Sequence, residues 1–440
     1  MSAFVQRIVH MFYTAVALVP AVRRVGVLNL IVRGRSRVAH GAGPGHAPDN
    51  HSPVTIDVTG FAMRALVIDA YLPMPDRDSG SGRKIRVLEL LQSFGFGVSF
   101  AAAGLDYQYP YADRLLKMGI DVLFTPQVRS LKAWLDEHGS ALSLVILSRA
   151  NVASRYLGLV RKFCPNARVI FDTEDLHYLR EQRQAEIEHS WLLSACAGVR
   201  KRQELGLTCM ADHTLVVSEF EREVLLGEKP DLPVSVLSNI HEAHGRTTAF
   251  DHRTGLLFIG NFSHPPNVDA MQHFVSRIFP HIRARLPDVE LTIIGSNMGS
   301  KLNDCEVPGV RLAGYVADIV PHLERARISV APLRFGAGVK GKVNLSMSYG
   351  LPVVATPVAA EGMGTVSGRN ILIAGDEAEF AAQVVALYQD KRLWNGLSTQ
   401  GLELIESRYS VNVAKTALAE VLTSLSLPAT LASARDKAVP

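Results

Sequence analysis

From Met63 the chain sets short, wholly apolar runs against longer amphipathic stretches. "RALVIDA" (64–70), "GVSFAAA" (97–103), "DVLFT" (121–125), "LSLVILS" (142–148), "ARVIFD" (167–172) and "HTLVVS" (213–218) lack the polar alternation of a half-exposed strand. Runs of this kind mark parallel strands covered on both faces. Stretches near 83–95, 151–163 and 178–209 between them have helical periodicity. The pattern restarts after "DHRTG" (251–255), with "LLFIG" (256–260), "ELTIIG" (290–295), "VRLAG" (310–314), "ISVAPL" (328–333), "PVVAT" (352–356) and "NILIA" (370–374). Residues 266–286 read as one amphipathic helix opened by Pro266, a residue suited to a first helical turn. The last ~50 residues are mostly helical by periodicity. A repeated β-α unit predicts an α/β protein made of two Rossmann-like, doubly wound parallel-sheet domains facing a central cleft. Ligands then belong in that cleft, outside the C-terminal ends of the strands. The expected boundaries are 1–62 for a basic apolar leader and flexible linker, 63–248 for the N-terminal domain, 249–425 for the C-terminal domain and 426–440 for a tail.

Composition narrows the class. The 440 residues are 48% hydrophobic and 20% charged, which suits a soluble globular protein of two or three domains. The four cysteines (Cys164, Cys196, Cys209, Cys305) form no C-x-x-C pair. They read as small buried hydrophobes of a reducing, cytoplasmic compartment, with neither a disulfide framework nor a zinc site indicated. The net charge of +4 is uneven, because residues 1–50 hold six arginines against Asp49 and the remainder has 40 basic and 41 acidic residues. A near-neutral body argues against nucleic acid as a partner. The apolar run "IVHMFYTAVALVPAV" (8–22) is shorter than the ~20 residues of a spanning helix and contains Pro20. With arginines on both sides, residues 1–37 fit peripheral contact with an anionic surface such as the inner membrane, and equally an ill-ordered leader. His40, His46 and His51 in the following Gly- and Pro-rich linker read as solvated.

The chemistry concentrates at "FGAGVKGKVNLSMSYGLPVVAT" (335–356). Gly336 to Lys342 fits the first seven positions of the phosphate loop G-x-x-x-x-G-K-[ST], but Val343 stands where a magnesium-binding hydroxyl is needed. The run also follows a late strand, so a triphosphatase site is rejected. An anion is still favoured. Gly336 and Gly338 let the backbone approach an oxyanion, and the next helix offers its positive end. Lys340 and Lys342 beside that end would repel it unless an anion compensates them.

On these residues the chain resembles the GT-B fold glycosyltransferases of family 4, retaining enzymes that use nucleotide sugars. "GAGVKGKVNLSMSYGLPVVATPVAAEGM", "LLFIGNFSHPPNVDAMQHFV", "LTIIGS", "VRLAGYVADIVPHLERARISVAPL" and "ILIAGDEAEFAAQVVALYQD" carry the likeness in the second half. "DSGSGRKIRVLELL", "VIFDTEDLHYLREQRQAEI" and "TLVVSEFEREVL" carry it in the first. The resemblance implies a hexosyltransferase-type enzyme of bacterial surface-polysaccharide synthesis, with a nucleotide sugar as donor and a saccharide or lipid-linked acceptor. It implies no cofactor and no metal. A glycan- or nucleotide-sugar-binding module without turnover is the alternative. Lys340 and Lys342 would neutralise the departing diphosphate, with Gly336, Gly338, Asn261, Ala360 and Glu361 around the donor. The family's E-x7-E pair is missing, since Ala337 and Leu345 occupy its positions, and Asn261 and Asn267 replace a basic pair.

The N-terminal half adds two candidate stretches. Gly80, Ser81 and Gly82 at a helix start form a polar nest for donor phosphate or acceptor. Asp76 and Asp78 there imitate a D-x-D metal motif and are set aside as uninformative. Arg83 is assigned to a solvated helix face or to an anionic acceptor. At the end of "ARVIFD", Asp172, Glu174 and His177 are the candidates for catalytic groups, and Asp175 suits an N-cap for the helix that follows. His264 is expected either in the cleft or as a loop cap.

Overall fold

The computed structural model describes residues 56–429. The first half is a seven-stranded sheet of β1 (Met63–Asp69), β2 (Phe96–Ala102), β3 (Asp121–Leu123), β4 (Leu144–Ser148), β5 (Arg168–Asp172), β6 (His213–Val216) and β7 (Val234–Val236). The second is a six-stranded sheet of β8 (Leu256–Ile259), β9 (Leu291–Ile294), β10 (Val310–Gly314), β11 (Ile328–Ala331), β12 (Val353–Ala355) and β13 (Leu372–Ile373). Their orders are 3-2-1-4-5-6-7 and 10-9-8-11-12-13, and the paired strands run parallel. The direction of winding reverses between β1 and β4, and again between β8 and β11. Those two points open the crevices that ligands use in doubly wound sheets. The apolar runs form these strands because both faces are covered: every residue of β2 and β4 is buried.

Five helices bear on the site and on the join between the halves. They are α1 (Ser79–Ser93), α2 (His177–Ile187), α3 (Trp191–Met210), α4 (Gly341–Ser348) and α5 (Val411–Ser424). The single helix expected over 178–209 is two, because the Ser190 side chain accepts from the Leu193 N–H and begins α3 anew. The helix expected over 266–286 is interrupted by a π turn at Phe274–Ile278. Pro280 follows that turn, and a wider turn accommodates a residue that cannot donate and would crowd the carbonyl one turn back. The short edge strand β7 was not anticipated. A larger correction concerns the C-terminal boundary at 425. Ala414, Leu418, Val421 and Leu422 of α5 join the core of the N-terminal sheet with Phe94, Leu144 and Leu237. The last helix therefore belongs to the first half.

Candidate active site

The Gly-rich turn after β11 leads into α4, whose first residue is Gly341 and whose cap position is Lys340. Gly338 has φ +67°, and a Cβ there would meet the Asp175 side chain at 3.1 Å. Glycine thus serves both the left-handed backbone and the close approach of the opposite half. Lys340 is buried, and its ammonium donates to the carbonyls of Ala337 (3.1 Å) and Gly338. Lys342 donates to Asn267 Oδ1 and lies 4.3 Å from the centre of the Phe258 ring. Neither lysine forms an ion pair among the described residues. Burial pushes Lys340 down to about 8, against the attraction of Glu361. Burial and then the neighbouring Lys340 push Lys342 down to about 7. Two desolvated ammonium groups at a positive helix end form a site short of negative charge.

Across the cleft the acidic strand end divides. Asp172 points into the N-terminal half, where Arg83 grips both its oxygens at 2.9 and 3.0 Å and Lys84 donates at 2.7 Å. Glu174 lies 3.0 Å from Lys84 and 2.9 Å from Arg149, which also reaches Asp69 at 2.9 Å. Burial opposes ionisation of Asp172, yet Arg83 and Lys84 outweigh it and hold the carboxyl well below the usual range. Arg83 is thus no solvated helix residue, being 2% exposed. Glu174 and Arg149 both adopt left-handed backbone, with φ +64° and +72°. Such strain persists only where surrounding contacts fix it, here their mutual ion pair.

Asp175 turns the other way. It pairs with Arg180 and lies 3.4 Å from His177 Nε2. It does not cap α2 as expected. The N–H groups of Leu176, His177 and Tyr178 go instead to the buried carboxylates of Glu221 (3.0 Å) and Glu204 (3.1 and 3.2 Å). Burial raises Glu221 to about 7. From the C-terminal half, His264 lies within electrostatic reach of Arg180, Asp175 and Lys342. His264 is itself exposed, and the positive charges of Arg180 and Lys342 disfavour its imidazolium while Asp175 favours it. Sequence reasoning missed Glu204 and Glu221. No local signal marks them, because they arrive from 27 and 45 positions away.

The two halves touch through this site. A Cβ on Gly341 would lie 2.2 Å from Ser79 Cβ, so the first residues of α1 and α4 abut. Arg183 pairs with Glu361 at 2.8 Å and donates to the Gly336 carbonyl at 2.7 Å. Gly80, Ser81 and Gly82 lie in the first turn of α1, where the Ser81 N–H is taken by Asp78 at 2.8 Å. The Ala360 N–H is likewise used inside its own turn, donating to the Thr356 carbonyl. Asp76 accepts from the hydroxyls of Tyr111 and Tyr315, both at 3.0 Å, beside a cavity of about 1000 Å³ that Ser296 and Asn297 also line. Hydrogen bonds from Lys342 to Asn267, Asn267 to Asn261 (2.8 Å) and Asn297 to Asn261 (3.1 Å) run from the lysines to that cavity. Gly341→Ala should hold the helix starts apart. Nucleoside diphosphate affinity should fall about tenfold, in line with overpacking costs of 1–3 kcal/mol, with little change in melting temperature. Calorimetric titration beside thermal unfolding checks this, and wild-type affinity would show that binding does not need the contact.

Among the described residues no group of three or more His, Cys, Asp or Glu could hold a metal ion. Asp78 is spent on a helix cap and Asp76 on two tyrosines. Among those residues, too, no helix is long and apolar enough to cross a membrane. The membrane contact expected of residues 1–37 lies outside the described residues, as does all of the leader and linker expected over 1–62 except positions 56–62.

Two facing parallel-sheet halves of this kind define the GT-B fold of glycosyltransferases, and solved structures of that class share it. HepE of Anabaena, in complex with UDP-glucose, aligns with a TM-score of 0.63 at 13% identity, over 82% of this chain and all of that one. Sucrose-phosphate synthase of Thermosynechococcus elongatus aligns at 0.64 and 13%, over 82% of this chain and 99% of its own. Residues 253–390, most of the second half, match the family model described as Glycosyl transferases group 1. A Klebsiella pneumoniae protein described as an uncharacterized 44.6 kDa protein in the cps region is 28% identical over 143 residues, 30% of this chain and 37% of that protein. The matched stretch thus spans little more than a third of that relative.

Proposed function

We propose that the chain is a retaining glycosyltransferase that moves a sugar from a nucleoside diphosphate donor to a saccharide or lipid-linked acceptor in surface-polysaccharide assembly. The observation that carries this reading is the pair at the start of α4, Lys340 buried and Lys342 half-buried, with no carboxylate among the described residues bound to either. The diphosphate lies against these ammonium groups and the N–H groups of the helix end. The charge that develops on the leaving oxygen as the glycosidic bond breaks is stabilised there without reorganisation. The asparagine chain leads the nucleoside towards the cavity at Ser296 and Asn297. The sugar then rests between the Gly-rich turn and the Asp175, His177, Arg180 and His264 cluster. The acceptor hydroxyl attacks from the leaving-group face, which retains configuration. The match to the group 1 model and the cps-region relative support the reaction class and its setting. UDP-glucose, the ligand of HepE, is the first donor to try.

A specific observation keeps a second reading in view. Ala337 and Leu345 supply no carboxylates where the family's glutamate pair would orient the donor, so binding without turnover is the alternative. Calorimetric titration with UDP, GDP, dTDP and ADP should show selective binding of one diphosphate, and the matching nucleotide sugar should then be consumed with release of that diphosphate. Binding without consumption would favour the non-catalytic module. Absence of binding to all four would remove the transferase reading and bring the glycan-binding module to the front.

A further inference from the structure

His177 stands at the first turn of α2 with its two ring nitrogens between carboxylates from two elements, Asp175 in the loop before α2 and Glu204 on α3. Glu204, on α3 and 1% exposed, places Oε1 3.0 Å from Nδ1. The same oxygen accepts the His177 N–H at 3.1 Å, and Oε2 accepts the Tyr178 N–H at 3.2 Å. On the other side, Nε2 looks at Asp175 Oδ1 across 3.4 Å, too long for a strong bond. Asp175 itself is committed to Arg180. The charged and titratable groups around the ring region include Asp175 and Arg180 on its own segment, Glu204 on α3, Arg149 after β4, and His264 across the cleft, near Asp175 and Arg180. A local Ser, Thr or Asp could have capped α2 through its backbone. A glutamate brought from another helix, sharing one oxygen between a cap N–H and an imidazole nitrogen, fixes the ring as well as the helix.

Resting on the glycosyltransferase reading above, we infer that Glu204 is a positioning residue: by accepting a hydrogen bond from Nδ1–H of His177 it aims Nε2 into the cleft, at a hydroxyl of the sugar held between Asp175 and the Gly-rich turn. An imidazole acts through whichever nitrogen its partner leaves free, and that partner fixes the tautomer. The long contact with Asp175 is the one a substrate hydroxyl replaces. No bond is made or broken by Glu204, whose part is to hold the ring and the Nδ1 proton in place.

The test has an arm that needs no substrate. Long-range nitrogen–proton correlation spectra of histidine-labelled full-length protein should show His177 Nδ1 protonated near neutral pH. An unprotonated Nδ1 there overturns the inference, whatever the variants do. In Glu204→Gln the amide can still accept one backbone N–H but loses the charge. The tautomer signature should change, and kcat for nucleotide-sugar consumption should fall about tenfold or more, the lower end of what a positioned proton-handling group supplies. KM for the nucleotide sugar should stay within about twofold, since the diphosphate is held by lysines elsewhere. The acid limb of the pH–rate profile should move, which a loss of helix capping alone would not cause. Unchanged kcat and pH profile in Glu204→Gln would sink the proposal. If wild-type protein binds and consumes no nucleotide sugar, the functional reading fails instead, and the spectral result still decides whether Glu204 orients the ring.

Discussion

Replacing Lys340 and Lys342 together by alanine is expected to cost at least about 2 kcal/mol of nucleoside diphosphate binding, roughly 30-fold in Kd, from losing two charge-assisted contacts. The same change should not lower the melting temperature of the ligand-free protein. In that state the two ammonium groups are largely desolvated and hydrogen-bond carbonyl and amide oxygens, with no carboxylate among the described residues bound to either, so their removal relieves a cost. A pH dependence arises from the same pair. The lysines titrate at about 8 and about 7 in the folded chain, against about 10.4 when unfolded. Above pH 7 the unfolded chain therefore binds more protons, and ligand-free stability should rise with pH through that window. A diphosphate favours the charged lysines and reverses this. Binding near pH 8 should take up protons and weaken as the pH rises further. Titrations in buffers of different ionisation enthalpy measure the uptake directly. Binding without proton uptake between pH 7 and 9, or a double variant with wild-type affinity, would move the anion away from α4.

The second large effect is on stability. Lys84 is buried against Asp172, Glu174 and Ser148. Lys84→Ala leaves two buried carboxylates short of a cation, a change that typically costs about 3–5 kcal/mol. For a half of this size that corresponds to a melting temperature lower by roughly 10 °C. The phosphate site proposed in the C-terminal half lies outside the cluster, so at temperatures where the variant is folded the diphosphate should still bind. Acid should act on the same cluster. Asp172 has a depressed folded pKa, so its contribution is present above the ordinary carboxylate range, near 4, and is lost as pH falls below it. A variant that melts like wild type would mean that water or relaxation replaces the ammonium.

The strands of both sheets were legible because a buried parallel strand needs an apolar residue at nearly every position. Lys340 and Lys342 stood out in the sequence because a helix start is a poor place for cations, and the structure puts them at one. Other features depend on partners far along the chain. Asp172 and Glu174 stood out as catalytic candidates by type and position, but whether a strand-end side chain faces cleft or core is decided by what approaches it. Arg83 and Lys84 draw those two inward, and Gly338 brings the cleft to Asp175. Gly80, where a Cβ would come within 2.8 Å of Glu174, belongs to the same packing as much as to a phosphate nest. The break between α2 and α3 hangs on one serine cap, which periodicity over 178–209 could not register. The return of α5 to the first half was hidden for a related reason, since an amphipathic helix shows which face it buries but not against which sheet.

That return has a mechanical consequence. The chain passes between the halves twice, once between β7 and β8 and once at Tyr409 to Val411, and the two passages are joined where the His241 N–H donates to the Tyr409 carbonyl at 2.8 Å. A body hung from two adjacent pins cannot swivel or slide freely and keeps one easy rotation, about the line through them. Any opening of the cleft would thereby follow a single arc, and closure along it would return Gly341 to Ser79.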